Sequence, residues 1–316
     1  MRKNKTHLQK RHFLNAMYGV YKASSNSKVA NVPHKTHNDK RQINIKSKTL
    51  QHNDGLLPFE CRNVEVYFEI LGFEQSSAMQ IVSRYARECN VELKLGDFAL
   101  LNESFMQQDN IKSSTLQEYG IVAIGLKHNV ELFFNILESL FLDRLVRGNI
   151  ASFVIQKLQQ NNQSLCIAES CTGGVLSSMI TAINGASSVF KGGITTYSIE
   201  SKQQILGIKD SIIKEHSVYS EECVRAMARG VLDLFQADIA IATSGLASKD
   251  VSSSNFLNLP AGLVFTCVLI RDRLPISISH NYLLQVQNIN TQDSRIFVQQ
   301  ESSLQALRLL LSVLAS

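Results

Sequence analysis

The sequence predicts an α/β protein. A three-layer α/β/α domain with a mixed sheet follows a small α+β unit and a disordered, basic N-terminal tail. Three observations predict it. From Asn149 onward, short apolar runs alternate with stretches of helical periodicity, as in helices layered on a largely parallel sheet. Near the end, Leu263 to Ile270 and Ile276 to Leu284 read as an antiparallel pair, which makes the sheet mixed. The charge is also uneven. Residues 1–54 hold twelve Lys/Arg, two Asp and five of the eight histidines, whereas the remainder holds twenty Lys/Arg against twenty-five Asp/Glu.

These breaks divide the 316 residues into a tail (1–55), a small α+β unit (56–148) and a layered domain (149–316). The tail is rich in Lys, Asn, His, Ser and Gln and lacks periodicity, apart from a candidate helix around His12 to Tyr21. In the small unit, Val64 to Leu71 alternates like a strand, and Ser76 to Cys89 has helical spacing. Val91 to Leu101 and Tyr119 to Leu126 read as strands, and Asn129 to Leu145 as a helix. The layered domain opens with a helix at Ala151 to Gln159, a strand at Leu165 to Ala168 and a helix at Val175 to Ile183. A strand at Ile194 to Tyr197 precedes a helix at Glu200 to Leu206, which Gly207 ends. Ser220, with Glu221 and Glu222 after it, caps a helix running to about Phe235. The strand Ile239 to Thr243, the antiparallel pair and a closing helix from Arg295 to Leu314 complete the series.

Composition narrows the function. The net charge of +5 belongs to the tail, so the folded part carries no nucleic-acid footprint. No apolar run reaches the ~18 residues of a membrane span. The six cysteines form no CxxC pair and no zinc spacing, and no metal site is expected. With no secretory signal, reduced thiols and a cytoplasmic location are expected.

The most informative segment is Ile167-Ala168-Glu169-Ser170-Cys171-Thr172-Gly173-Gly174. A strand breaks into hydroxyl residues and paired glycines just before a helix. A serine there can be a nucleophile beside backbone N–H groups that attract negative charge. It can equally be an ordinary helix cap. Tyr197 and Lys202 fall at element ends in the same domain. Lys202, near the end of a first helical turn, meets the positive end of the helix dipole, which favours its neutral form. A neutral lysine can take a serine proton, and a tyrosine hydroxyl can orient the pair or relay the proton. The plainer alternative is a surface lysine and a tyrosine at a strand end.

Eight blocks bear on these readings by resemblance. Ala168-Glu169-Ser170-Cys171-Thr172-Gly173-Gly174 resembles the signature of the CinA C-terminal domain family, the nicotinamide mononucleotide amidohydrolases. Gly185-Ala186-Ser187-Ser188 through Gly193 resembles its G-S-S…F-x-G-G segment, and Tyr197 to Lys202 its Y-S-N-E-A-K. Leu206-Gly207-Ile208, His216 to Glu222, Thr243-Ser244-Gly245 and Pro260-Ala261-Gly262 follow in the family's order, as do Arg295 and Val298 in the last helix. The resemblance covers roughly residues 149–316 and implies a cofactor-free amidohydrolase acting on a small nucleotide. Carried over, Ser170 is the nucleophile, Lys202 its base and Tyr197 the relay. Backbone around Thr172, Gly173 and Gly174 holds the oxyanion. Gly245 lies against the substrate, and Arg295 binds its phosphate. Glu169 is either an orienting residue or an ion-pair partner.

The chain departs from the pattern in three places. Ser248-Lys249-Asp250-Val251-Ser252 has lost the family's later glycines and proline, Gln299 stands where a second arginine is usual, and Ile199 replaces an asparagine. These departures point to a remodelled pocket, and they keep open a shifted substrate or a catalytically silent module that binds a partner or DNA through the tail. The small unit resembles the family's KH-like middle domain in element order. It lacks the G-x-x-G loop of a nucleic-acid-binding KH module, so a structural role or a homo-oligomer contact is expected.

Overall fold

The computed structural model describes residues 62–96, 120–248, 259–284 and 291–315. The tail, the candidate helix around His12, part of the expected Val91 to Leu101 strand and the segment 249–258 lie outside the described residues.

The first part comprises β1 (Asn63–Ile70), α1 (Gln75–Glu88), β2 (Glu92–Leu95), β3 (Ile121–Leu126), α2 (Lys127–Phe141) and β4 (Leu145–Arg147). Its four strands are antiparallel in the order β2-β3-β1-β4. Phe68 of β1 packs edge-on against Phe133 and Phe134 of α2, and Val82 and Ala86 of α1 complete this core. The helix expected over Asn129 to Leu145 stops at Phe141. Leu142 adopts φ 52°, a conformation that costs an L-residue roughly 1–2 kcal/mol, and the chain turns into β4. Neither Gly nor Pro marks that break, and the apolar residues run on through it.

The layered domain comprises α3 (Ile150–Gln160), β5 (Leu165–Glu169), α4 (Val175–Thr181), β6 (Phe190–Thr195), α5 (Ile199–Leu206), α6 (Asp210–His216), α7 (Glu221–Phe235), β7 (Ile239–Gly245), β8 (Leu263–Ile270), β9 (Ile276–Asn281) and α8 (Thr291–Leu314). The sheet order is β6-β5-β7-β8-β9. The first three strands are parallel, and β8 and β9 are antiparallel additions.

Strand alternation builds the three layers. Leu165 and Ile167 of β5, with Ile239 and Ile241 of β7, point toward α3, α4 and α8. Cys166 and Ala168, with Ala240 and Ala242, point toward α5 and α7. The connection from β5 to β6 therefore crosses one face, and the connection from β6 to β7 crosses the other. The direction of the connections switches at β5, and in layered sheets of this kind ligands bind beyond the carboxyl ends of the strands at such a switch.

Two expectations need correction. β6 begins at Phe190 and ends at Thr195, so Tyr197 lies two residues beyond the strand rather than at its end. The strand expected to begin at Ile194 begins at Phe190, so Gly192 and Gly193 are strand residues. A Cβ at Gly192 would lie 2.4 Å from the Phe235 ring, and one at Gly193 would lie 2.1 Å from Ser177 Oγ. Both neighbouring helices pack so closely on β6 that only glycine fits. The short helix α6 was not expected, because its polar sequence buries only parts of Ile212 and Ile213.

Candidate active site

The site grows from the carboxyl end of β5. Every residue of that strand is buried, and alternation carries past its end. Glu169 turns toward α4, while Ser170 meets α5. The Glu169 carboxylate accepts hydrogen bonds from the amides of Gly174 (2.9 Å), Leu176 (3.2 Å) and Ser177 (2.9 Å), and from Ser177 Oγ (2.5 Å). It therefore caps α4, placing a negative charge where the helix dipole favours one. The sequence left Glu169 as an orienting residue or an ion-pair partner, and the structure makes it a helix cap.

That arrangement revises the expected oxyanion site. The Gly174 amide is engaged by Glu169, and the Gly173 amide closes a turn onto the Ser170 carbonyl at 3.2 Å. Thr172 is fully buried, with its hydroxyl 2.7 Å from that of Thr243 on β7. The loop of Thr172, Gly173 and Gly174 thus positions Ser170 through internal bonds. The glycines are required because both have positive φ, 64° and 100°.

Lys202 comes from the first turns of α5. Ser198 caps that helix by accepting from the Ser201 amide at 3.1 Å, which fixes where the lysine stem enters the interior. Only 2% of Lys202 is exposed. Its Nζ lies 2.8 Å from Ser170 Oγ, 2.7 Å from the Thr196 carbonyl oxygen and 3.4 Å from the Tyr197 carbonyl oxygen. All three are uncharged acceptors. Burial pushes the lysine below its ordinary 10.5, and the small opposing pull comes from Cys223 and Cys171. Those thiols are themselves raised by burial, to about 11 and about 12, so neither supplies an anion near neutral pH. Burial favours the neutral amine, whose two N–H groups would serve the two carbonyls and whose lone pair would meet the Ser170 hydroxyl.

Cys171 neighbours Ser170 and would otherwise compete as nucleophile. It is buried, and its raised thiol leaves almost no thiolate.

Tyr197 does not join the pair. It is 64% exposed, and its hydroxyl accepts a long 3.4 Å contact from Arg295 Nη1 of α8. Its backbone carbonyl, rather than its ring, reaches Lys202. The structure thus separates a buried Ser170–Lys202 pair from an outer Tyr197–Arg295 pair. Gly245 ends β7 inside the sheet. It pairs with Val264, and a Cβ there would lie 2.4 Å from the Leu263 carbonyl oxygen, so close strand packing explains the glycine.

One contributor was missed as such. Gln299 of α8 donates from Nε2 to the Cys171 carbonyl at 3.0 Å, and so braces the serine loop from above. The signal was its place one helical turn after Arg295, at the position where the chain departs from the family pattern. Among the described residues, no cluster of His, Cys, Asp or Glu could hold a metal ion. No helix is long and apolar enough to cross a membrane.

Residues 148–314 match the model of the CinA C-terminal domain. A CinA-like protein of Thermotoga neapolitana is 35% identical over 176 residues, covering 52% of this chain and 42% of that protein. A CinA-like protein of Synechococcus is 38% identical over 167 residues, with 52% and 37% covered. The chain thus spans less than half the length of these curated relatives. Protein MG115 of Mycoplasma genitalium is 41% identical over 124 residues, which cover 39% of this chain and 76% of that protein. The crystal structure of the competence damage-inducible protein A of Klebsiella pneumoniae aligns at 29% identity, covering 52% of this chain and 95% of that one, with a TM-score of 0.46.

Proposed function

The chain belongs to the CinA C-terminal domain family, and from that premise we propose that it is a serine–lysine amidohydrolase whose substrate is nicotinamide mononucleotide. The observation that carries this reading is the buried contact of 2.8 Å between Lys202 Nζ and Ser170 Oγ, made by a lysine with no anionic partner. A structural lysine is normally solvated or paired with a carboxylate. One whose charge burial disfavours, set against a serine hydroxyl, suits a general base beside its nucleophile.

The steps follow from the atoms present. Lys202 Nζ takes the Ser170 hydroxyl proton as Oγ attacks the carboxamide carbon. The resulting ammonium returns that proton to the leaving nitrogen, the C–N bond breaks, and ammonia departs. Water then attacks the ester carbon and passes a proton to Lys202. The ester bond breaks, Ser170 regains its proton, and nicotinate mononucleotide leaves. The net reaction consumes one amide and one water and needs no metal or redox partner.

Arg295 supports a phosphate-bearing substrate. It sits near the start of α8, where the helix dipole is already positive, and faces the Tyr197 hydroxyl rather than a carboxylate. A guanidinium in that setting suits a 5′-phosphate. Tyr197 serves as its rim partner in this reading, and the proton relay is left to Lys202.

The test is ammonia release from nicotinamide mononucleotide by the full chain, beside Ser170→Ala and Lys202→Ala. Each substitution is expected to lower kcat by at least about 10³-fold while the fold persists. In the parent, kcat/KM rises with pH as Lys202 loses its proton, and burial places that limb below the ordinary lysine range. Substantial turnover by Lys202→Ala would overturn the mechanism.

A further inference from the structure

Beside the Ser170–Lys202 pair lies a polar atom that the proposed mechanism leaves unused. Thr196 follows β6, and its amide donates to the Glu169 carbonyl at 2.8 Å, so the β5–β6 ladder runs one residue past the strand's end. A side chain at Gly192 would meet Phe235 of α7, and Ile194 joins the core on that same side. Alternation carries the Thr196 side chain there too, onto the side where α5 supplies Lys202 and α7 supplies Cys223. The Thr196 carbonyl holds Lys202 Nζ at 2.7 Å. The carbonyl and hydroxyl oxygens of a threonine both hang two bonds from its Cα, so the hydroxyl lies within a short swing of that amine. Yet Thr196 Oγ1 is fully buried and has no hydrogen-bond partner among the described residues. Such a hydroxyl costs stability that a valine of the same shape would not.

We propose that Thr196 is a positioning residue whose hydroxyl accepts an N–H of Lys202 once the lysine has taken the Ser170 proton. The inference rests on the reading of Ser170 and Lys202 as nucleophile and base. A neutral amine has two N–H groups, and the two carbonyls suffice for them. An ammonium has three. The resting cage offers it two short contacts, from Ser170 Oγ and the Thr196 carbonyl, and a long one of 3.4 Å from the Tyr197 carbonyl. Thr196 Oγ1 supplies the missing short acceptor. No nearby anion can do so. The titratable groups facing Lys202 are the thiols of Cys171 and Cys223, both pushed up by burial, and the Glu169 carboxylate is turned toward α4. The hydroxyl thus lacks a partner in the resting enzyme and gains one in the charged intermediate, and an interaction realised only there accelerates the chemical step.

Thr196→Val removes the hydroxyl and keeps the shape, and Thr196→Ser keeps the hydroxyl. In the full chain, the titration of Lys202 is followed by carbon NMR of its Cε, assigned against Lys202→Met, and ammonia release from nicotinamide mononucleotide is measured beside it. In Thr196→Val the Lys202 titration is expected to move down by about one to two pH units, because the ammonium has lost an acceptor. Its kcat is expected to fall roughly 10–100-fold with KM nearly unchanged, as for one lost hydrogen bond to a charged group. Thr196→Ser is expected to recover both. At alkaline pH, where Lys202 is neutral, the urea midpoint of Thr196→Val is expected to hold or rise. A merely structural threonine would lower that midpoint and leave the titration in place, and either result would overturn the proposal. So would a parent-like kcat in Thr196→Val. The titration needs no turnover. A parent that releases no ammonia would therefore sink the proposed reaction, while the Lys202 shift would still decide whether Thr196 serves the ammonium.

Discussion

Lys202 and Arg295 are basic side chains of the candidate site, and they are held in opposite ways. Lys202 is enclosed by backbone carbonyls and the Ser170 hydroxyl, with no carboxylate to balance it. Arg295 stands in the outer part, beside a solvent-exposed tyrosine, at a distance of 3.4 Å. Burial acts on the lysine by disfavouring its charge, which suits it to the base's role in the proposed reaction. The guanidinium, only partly buried, is open to an anion. The same difference fixes what each substitution should do. Changes at the floor should act on the chemical step, and changes at the rim on substrate binding.

The largest effects test the floor. Beyond the loss of turnover expected for Ser170→Ala and Lys202→Ala, the lysine has a signature in stability. Its folded-state pKa lies below the unfolded value, so the unfolded chain binds the extra proton between those two values. Folding stability must therefore rise with pH across that window, up to about 10.5. The penalty is complete below the folded-state pKa. Urea midpoints measured against pH should climb in the parent and stay flatter in Lys202→Met. Identical slopes would mean that Lys202 is not depressed.

At the rim, Arg295→Ala should raise KM for the nucleotide by roughly 30-fold, the worth of about 2 kcal/mol for a charge-assisted contact, with kcat nearly unchanged. The matching nucleoside, which lacks the phosphate, should show no such change. An equal effect on both substrates would show that Arg295 acts on something other than the phosphate.

Much of this division was legible in the sequence and some was not. The break from β5 into Ser170 and the place of Lys202 in the first turn of a helix are local signals, and local signals survive folding. The partners of Glu169 were not legible. Nothing in the sequence says which face of β5 continues into a residue that points at α4. The same alternation that splits the two cores sends Glu169 to one side and Ser170 to the other. At Gly245 the motif pointed to a ligand, and the fold adds a packing reason of its own, the β8 backbone 2.4 Å from a would-be Cβ. The place of Gly192 and Gly193 inside β6 was not legible, because the Phe235 ring and Ser177 that crowd them come from distant sequence. The order of β1 to β3 was legible, yet β4 hid behind a helical pattern that runs past the helix end at Phe141 without a breaker residue.

Glu169→Gln probes the link between floor and loop at an intermediate size. The charge on the α4 N-terminus disappears, and an amide N–H₂ must face amide donors in its place. A loss of about 2 kcal/mol in unfolding free energy is expected, with kcat down roughly tenfold as the Ser170 loop relaxes. A change in stability with no change in kcat would show that the cap holds α4 alone and does not position the serine.

The smallest expected effect separates the two roles of Tyr197 most cleanly. A relay requires its hydroxyl in the proton path, so Tyr197→Phe would then collapse kcat by about 10²-fold or more. The observed geometry puts that hydroxyl against Arg295 and gives Lys202 only the backbone carbonyl of residue 197, which phenylalanine retains. Tyr197→Phe should therefore leave kcat within about threefold of the parent and raise KM slightly, because one neutral hydrogen bond to the guanidinium contributes about 1 kcal/mol or less when exposed. Combined with Arg295→Ala, it should add nothing further to KM, since its partner is already gone. A collapse of kcat in the single variant would mean that the tyrosine swings inward when substrate binds. The floor and the rim would then be one catalytic unit rather than two.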